Sequence, residues 1–415
     1  MSRIDELLHQ LCPEGVPYVK LADLAETVSG LSGKSKSDFT EGKARYVAYK
    51  NVFANPAVDD MASDFVVLNE GERQNKLHVG DVVITGSSEN IDDVGMSSVV
   101  VREPGEPLYL NSFCFALRFP KGELLPRFSK YLFRGESVRS QIRKTASGVT
   151  RINISKSRFM QVRIPVPPTA VQEAIVNVLD RLSELQAELH AQLRAELDAR
   201  QLQLNYYRDF LVAAVNGPQQ PMGEIGKFLR GRRFTKNDVV PSGIPSIHYG
   251  EIYTSYGLSA SRAIREVRPE MVGQLRFAQP GDVIFAGVGE TVEDVGKAVA
   301  WLGDVPVAVH DDTFSFTSEL DPKYVAYAVQ TDSFHKQKAN HVARGKVKRL
   351  SSGGLERIKI PVPGIDEQQR IVSILDDFSS LVAELHAELH KEREARQKQY
   401  VHYRDRLLTF TERAQ

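Results

Sequence analysis

The stretches Ile164–Leu211, IPVPPTAVQEAIVNVLDRLSELQAELHAQLRAELDARQLQLNYYRDFL, and Ile360–Leu407, IPVPGIDEQQRIVSILDDFSSLVAELHAELHKEREARQKQYVHYRDRL, decide the fold. They align without a gap at a fixed offset of about 196 residues, and about half of their positions are identical. Two charged helices of similar composition would share some identities. They would not share Pro165 and Pro167 with Pro361 and Pro363, or Tyr207-Arg208-Asp209 with Tyr403-Arg404-Asp405. The chain is a tandem repeat.

Each copy sets apolar residues at three- and four-residue steps. In the first these are Ile175, Val178, Leu182, Leu185 and Leu189; in the second, Ile371, Ile374, Phe378, Leu381 and Leu385. This is coiled-coil spacing. The stripes then drift, through Leu193, Leu197, Leu204 and Leu211 in one copy and Arg396, Tyr400 and Tyr403 in the other. About 45 helical residues at 1.5 Å rise make a rod of order 65 Å, which needs a partner to cover its stripe. The copy in the same chain is the partner at the highest effective concentration. An antiparallel intramolecular coiled coil with a pseudo-two-fold relation between the halves is expected; pairing between chains is the alternative.

Working outward, the segments before the helices match more weakly. Gly80-Asp81-Val82-Val83-Ile84 corresponds to Gly281-Asp282-Val283-Ile284-Phe285, and Glu89 with Asp93-Val94-Gly95 to Glu290 with Asp294-Val295-Gly296. Tyr49 falls against Tyr249 and Gly148 against Gly345. Phe65–Leu68, Val82–Ile84, Ser98–Val101 and Val162–Ile164 are short β-type runs between Gly, Asp and Pro punctuation. The expected class is α+β. Residues 1–164 and 217–360 form strand-rich domains, and 165–216 and 361–415 long helices, with a Gly217-Pro218 break after the first helix.

The 415 residues suit about two to three domains. No apolar run of about 18 residues is present, so no membrane helix is expected. Charged residues near Met1 leave no apolar signal-peptide core. Two cysteines, Cys12 and Cys114, are too few for a disulfide framework. A cytoplasmic protein with free thiols is expected. The net charge is zero, yet basic residues cluster. Arg127–Arg163 carries ten Lys/Arg against Glu136 alone, and Lys323–Lys359 nine against Asp332 and Glu356. Such stripes are either phosphate footprints or solvated surface.

Catalytic motifs are missing. There is no Walker loop and no paired-histidine helix. Gly287-Val288-Gly289 lacks the third glycine and βαβ setting of a dinucleotide site. Asn55-Pro56-Ala57-Val58 lacks the second proline and the aromatic ring of an adenine-methyltransferase motif, and reads as a turn. Glu89, Asp92 and Asp93, with Glu290, Glu293 and Asp294, recur at one spacing and are the best carboxylate candidates. No lysine can be placed beside them for nuclease chemistry. They cap turns, or accept from cytosine N4.

Two variable domains, each closed by an IPVP-like segment, a Glu-Gln-like stretch and a long helix ending near Tyr-Arg-Asp, resemble the DNA-specificity subunits of Type I restriction–modification systems. Ile360-Pro361-Val362-Pro363 followed by Asp366-Glu367-Gln368-Gln369-Arg370-Ile371-Val372 is close to the family pattern; Val171-Gln172-Glu173-Ala174 departs mildly. The resemblance covers essentially the whole chain. It implies a non-catalytic subunit with two target-recognition domains, each reading one half of a bipartite duplex DNA site. It further implies paired helices that act as a ruler and dock two modification subunits, with restriction subunits joining through that complex. No cofactor is expected in this chain; S-adenosylmethionine, Mg and ATP are expected on the partners. A coiled-coil scaffold without DNA specificity and a cryptic DNA-modifying enzyme are the alternatives.

Base and phosphate contacts call for Arg/Lys, Asn/Gln and Ser/Thr. The candidates flank glycines in expected loops. In the first domain they are Lys34, Lys36, Tyr49, Lys50, Asn51, Ser87, Ser88, Arg143, Lys144, Thr150 and Arg151. In the second they are Arg230, Arg232, Arg233, Lys236, His248, Tyr249, Arg344, Lys346, Lys348 and Arg349. Tyr49 and Tyr249 read equally as core residues.

Overall fold

A computed structural model describes residues 3–343 and 345–414. The chain divides into two compact units. The first comprises residues 1–191 with 391–415, the second 192–390. Each unit therefore holds one strand-rich domain, the start of the helix that follows it, and the far end of the other long helix.

The two IPVP segments open helices Thr169–Ala213 and Ile365–Leu407, of 45 and 43 residues. Before each helix the first proline of the segment ends a short strand. Arg163–Pro165 pairs antiparallel with Tyr18–Lys20, and Lys359–Pro361 with Gln219–Pro221. One glutamine then locks each helix to its domain. The Gln172 amide accepts from Leu125 N (2.8 Å) and donates to Pro167 O (2.8 Å); Gln368 accepts from Asp321 N (2.8 Å) and donates to Pro363 O (2.8 Å). Two turns further on, Asp180 accepts from Tyr131 and Lys130, as Asp376 does from Tyr327 and Lys323.

The repeated Tyr-Arg-Asp docks across the repeat. In the first unit Asp405, from the second helix, accepts from Glu136 N (3.1 Å) at the start of helix Glu136–Lys144. In the second unit Asp209, from the first helix, accepts from Asp332 N (3.3 Å) at the start of helix Asp332–Ala339. A carboxylate at a helix N-terminus satisfies an orphan N–H and meets the positive end of the dipole. Within the first unit the two helices run antiparallel, with Ser183 Oγ donating to Tyr400 Oη (3.4 Å) and Gln186 Nε2 to Arg396 O (3.0 Å). Within the second, the rings of Tyr207 and Phe378 meet edge-on at 5.8 Å. The antiparallel intramolecular pairing read from the sequence is observed.

The first unit centres on an antiparallel sheet ordered Glu26–Ser29, Cys114–Arg118, Val82–Thr85, Ser97–Val99. A second sheet pairs Phe65–Val66, Ala44–Val47 and Leu108–Leu110. Ile84, Phe115, Leu117, Phe128 and Phe133 share one core with Ile175 and Leu179 of the first helix and Leu408 and Phe410 of the chain's end. The second unit repeats the plan with two five-stranded sheets, one built on Gly226–Arg230, Thr313–Ser318 and Val283–Ala286, the other on Arg265–Val267, Ile244–Ile247 and Val307–Val309. Gly80 and Gly281 take φ of 90° and 93°, and the following aspartates accept from His78 N and Gln279 N at 2.8 Å. These aspartates close turns into strands.

Candidate nucleic-acid interface

In each unit a strand breaks at a glycine and continues in a small separate sheet. Gly86 N donates to Phe113 O (2.9 Å), after which Ser87–Ser88 pairs with Ile152–Ile154, itself paired with Ala146–Ser147. Gly287 N donates to Asp312 O (2.8 Å), after which Val288–Gly289 pairs with Lys348–Leu350, itself paired with Val342–Ala343. The hairpins 146–154 and 342–350 lie in the two basic stretches. Their registers set Ala343 against Ser147 and Gly345 against Val149, so Gly345 falls one residue from the Gly148 that sequence alignment gave it. Gly148 itself (φ 135°) makes a turn in which a Cβ would fall 2.1 Å from Arg151 O.

An open cleft of about 790 Å³ in the first unit is lined by Tyr49, Ser87, Ser88, Thr150 and Arg151, together with Asn90 and Phe113. Five of the eleven candidates there are thus brought together. Arg151 reaches Ser87 Oγ through Nη2 (3.0 Å), and its guanidinium lies 5.2 Å over the Phe113 ring. The Tyr49 hydroxyl donates to Ser87 O (3.0 Å) and its ring stacks on Phe53. Val149, at the hairpin tip, is 98% exposed.

The remaining candidates of this unit sit outside that cleft. Lys34 is held 2.6 Å from Glu72 with its side chain only 5% exposed. Lys36 is exposed at the start of a short 3-10 turn. Exposed Lys50 pairs with Asp64 (3.4 Å). Asn51 is buried, donating to Asp59 O (2.7 Å) and accepting from Asp59 N (3.1 Å), so its amide edge is engaged within the domain. Arg143 pairs with Glu136, and Lys144 is exposed.

In the second unit a cleft of about 260 Å³ is lined by Arg230, Arg349, Asp311 and Asp312. Arg349 Nη1 stands 3.4 Å from Asp312 Oδ1, and Arg230 Nε donates to Asp311 O (2.7 Å). Arg232, Arg233, Lys236 and Lys346 are exposed, and Lys348 Nζ donates to Gly345 O (3.0 Å). Arg344 lies outside the described residues. Tyr249 packs against the cluster of Ile247, Ile252 and Trp301.

His248 caps helix Tyr249–Thr254, its Nδ1 accepting from Gly250 N (3.3 Å). Its ring stands 4.3 Å from that of His310. Burial, with His310 adding, pushes the His248 pKa down to about 4, so both nitrogens act as those of a neutral ring at neutral pH. Burial lowers His310 as well, although Asp311 (3.2 Å from Nε2) and Asp312 pull it back up.

Of the repeated carboxylates, Glu89 and Asp93 line the first-unit cleft. The loops of both repeats are held by backbone carbonyls, with Arg139 donating to Gly95 O (2.6 Å) and Asp92 O (2.7 Å) and Lys338 to Glu293 O (2.8 Å). Asp294 accepts from Thr291 Oγ1 (2.7 Å). Asn55–Val58 is a turn pinned to the neighbouring strand, Val58 N donating to Val99 O (2.9 Å). Sequence reasoning missed Phe113 and Asp312, the residues at the strand break in each cleft. Their signal is the Gly86/Gly287 strand break. Both cysteines are free, and among the described residues no helix is long and apolar enough to cross a membrane.

Comparison with known proteins gives a consistent picture. Residues 13–199 and 221–394 match the model of the Type I restriction modification DNA specificity domain. The Type I restriction enzyme EcoR124I/EcoR124II specificity subunit of Escherichia coli is 32% identical over 268 residues, a match covering 61% of this chain and 65% of that one. A chain from a solved structure on complex assembly and conformational transition of the type I R–M system shares the fold, with TM-score 0.69 and 15% identity over 95% of this chain and 97% of that one. The HsdS subunit from Thermoanaerobacter tengcongensis gives TM-score 0.53 at 15% identity, over 96% and 97% of the two chains.

Proposed function

Since this chain belongs to the family of Type I restriction–modification DNA specificity domains, we propose that it reads a bipartite duplex DNA site, one half per unit, and directs adenine methylation and restriction by partner subunits. The observation that carries this is the same cleft built twice: a basic hairpin laid over a glycine strand break, once in each unit. A hairpin with exposed cations beside a cleft supplies phosphate contacts that position and side chains that reach base edges.

The chain itself carries neither reaction. Two modification subunits dock on the long helices, and restriction subunits join through them. S-adenosylmethionine, Mg and ATP belong to those partners, and the complex works in the cytoplasm. Exposed apolar residues on the first helix, among them Leu202, Tyr206 and Phe210, support protein docking there.

The test is methylation mapping in cells that express the full chain with its modification partner. A two-part motif with a fixed spacer is expected, and removing matched heptads from both helices alters that spacer. Binding weakens steeply as salt rises. Methylation or cleavage by the purified chain alone, given DNA, Mg²⁺ and S-adenosylmethionine, overturns the proposal. Salt-independent association with DNA, or none, favours a pure scaffold.

A further inference from the structure

The two clefts occupy equivalent places, and both hold arginine and carboxylate side chains, Arg151 with Glu89 and Asp93 in the first and Arg230 and Arg349 with Asp311 and Asp312 in the second; they differ in the residue that stands at the strand break. Thr85 pairs with Cys114 in the first unit and Ala286 with Thr313 in the second. The next residue is a glycine bonded to the carbonyl of Phe113 in one case and of Asp312 in the other. A Cβ at Gly86 would fall 2.9 Å from Phe113 O, and one at Gly287 3.1 Å from Asp312 O. The break therefore fixes residue 113 or 312 at the cleft in the same way in both repeats. An arginine stands beside that residue in both repeats, but the residue itself is apolar in one and acidic in the other. Phe113 is a large apolar ring left 54% exposed, with the Arg151 guanidinium beside it and Ser87 steadying that arginine. Asp312 is a partly exposed carboxylate with Arg349 at 3.4 Å.

We infer that Phe113 and Asp312 are the equivalent specificity-determining residues of the two units, the first selecting an A·T pair and the second a G·C pair. The inference rests on the proposal that each unit reads DNA. In the major groove only thymine offers a methyl group, the natural partner of an exposed ring. Only cytosine N4 and adenine N6 offer an amine to a carboxylate there, and the paired guanine offers O6 and N7 to an arginine fork. Asp312 with Arg349 matches the second pair: the carboxylate accepts from cytosine N4 while the guanidinium donates to the guanine. A bare carboxylate would be repelled by the phosphates around it, and the arginine at its side offsets that repulsion. Phe113 with Arg151 matches the first, the ring against the methyl and the cation toward the backbone.

The experiment is methylation mapping with the full chain and its modification partner, for wild type, Phe113→Ser and Asp312→Asn. Phe113 is exposed and Asp312 partly exposed, and neither belongs to an apolar core cluster; Phe113→Leu, which retains an apolar contact, is the second variant. Phe113→Ser is expected to make one A·T position of one half-site degenerate, its preference falling about tenfold, and Phe113→Leu to hold it. Asp312→Asn is expected to relax one G·C position of the other half-site by a similar factor. A wild-type chain with no two-part motif overturns the proposed function and this inference with it. A two-part motif unchanged by Phe113→Ser and Asp312→Asn, or changed in the same half-site by both, overturns the inference alone. So does uniform loss of methylation by variants that melt like wild type.

Discussion

Lys338 is fully buried in helix Asp332–Ala339, and its ammonium donates to Glu293 O at 2.8 Å. Burial, set against weaker attraction from Glu293 and Asp294, pushes its pKa from 10.5 down to about 8. In the first unit the matching place is taken by Ile142: a Cβ on Gly95 would touch Ile142, and one on Gly296 would touch Lys338. The gap between 10.5 and about 8, at about 1.4 kcal/mol per pH unit, amounts to about 3 kcal/mol. The sign follows from proton counting. Between these two values the unfolded chain binds more protons than the native one, so native stability rises with pH across that window. Below about pH 8 the full cost of the buried charge is present; above about 10.5 it is gone.

Lys338→Met keeps the stem and removes the charge. Trp301, the single tryptophan, is buried in the second unit, so its fluorescence follows that unit in urea. The variant should exceed wild type most at pH 7, and its advantage should shrink by about 2 kcal/mol by pH 9.5. Subtracting the two proteins removes titrations common to both. An advantage that is the same at pH 7 and 9.5 refutes the reasoning.

Other outcomes follow from the same geometry. Asp405→Ala removes a cap from the first unit, so it should cost that unit about 1 kcal/mol and leave the Trp301 transition in place, whereas Asp209→Ala should lower that transition, both read by urea titration. Lys36→Ala should lower the slope of DNA affinity against salt by about one phosphate's worth, and Lys34→Met, whose ammonium is held by Glu72, should leave the slope as it is. His248 has its pKa lowered to about 4, so the native second unit resists its protonation and should lose stability as pH falls from about 6.5 toward 4; His248→Phe should reduce that loss, leaving the part due to His310 and His335, whose pKa values burial also lowers.

The long helices were legible in the sequence, because a repeat compares the chain with itself and needs no propensity, although they run Thr169–Ala213 and Ile365–Leu407 rather than over 165–216 and 361–415. The shared residues prove to be those that fasten helix to domain: Gln172 and Gln368, Asp180 and Asp376, Asp209 and Asp405. Strands such as Val82–Thr85 were legible from Gly-Asp before a valine run. The interface was less so. Cation and amide type located Arg151 and Arg349 but also drew in Asn51, whose amide is closed off by Asp59, since burial depends on partners far along the chain. Residue type also passed over Phe113, which carries no charge, and Asp312, which carries the opposite one. The Gly148–Gly345 alignment slipped by one because the loops differ in where their glycine sits, and only ladder register fixes that.

The division of each long helix between units has a consequence for biosynthesis. The first unit includes residues from 391 onward: Asp405 caps its helix, Val16 N donates to Thr411 O (2.9 Å), and Leu408 and Phe410 fill its core. The second unit is whole once His390 has been made. Domains ordinarily mature from the N-terminus as synthesis proceeds at about 5–20 residues per second. Here the order inverts: the unit that leaves the ribosome first is finished last, and its apolar face stays uncovered for as long as the entire second unit takes to translate.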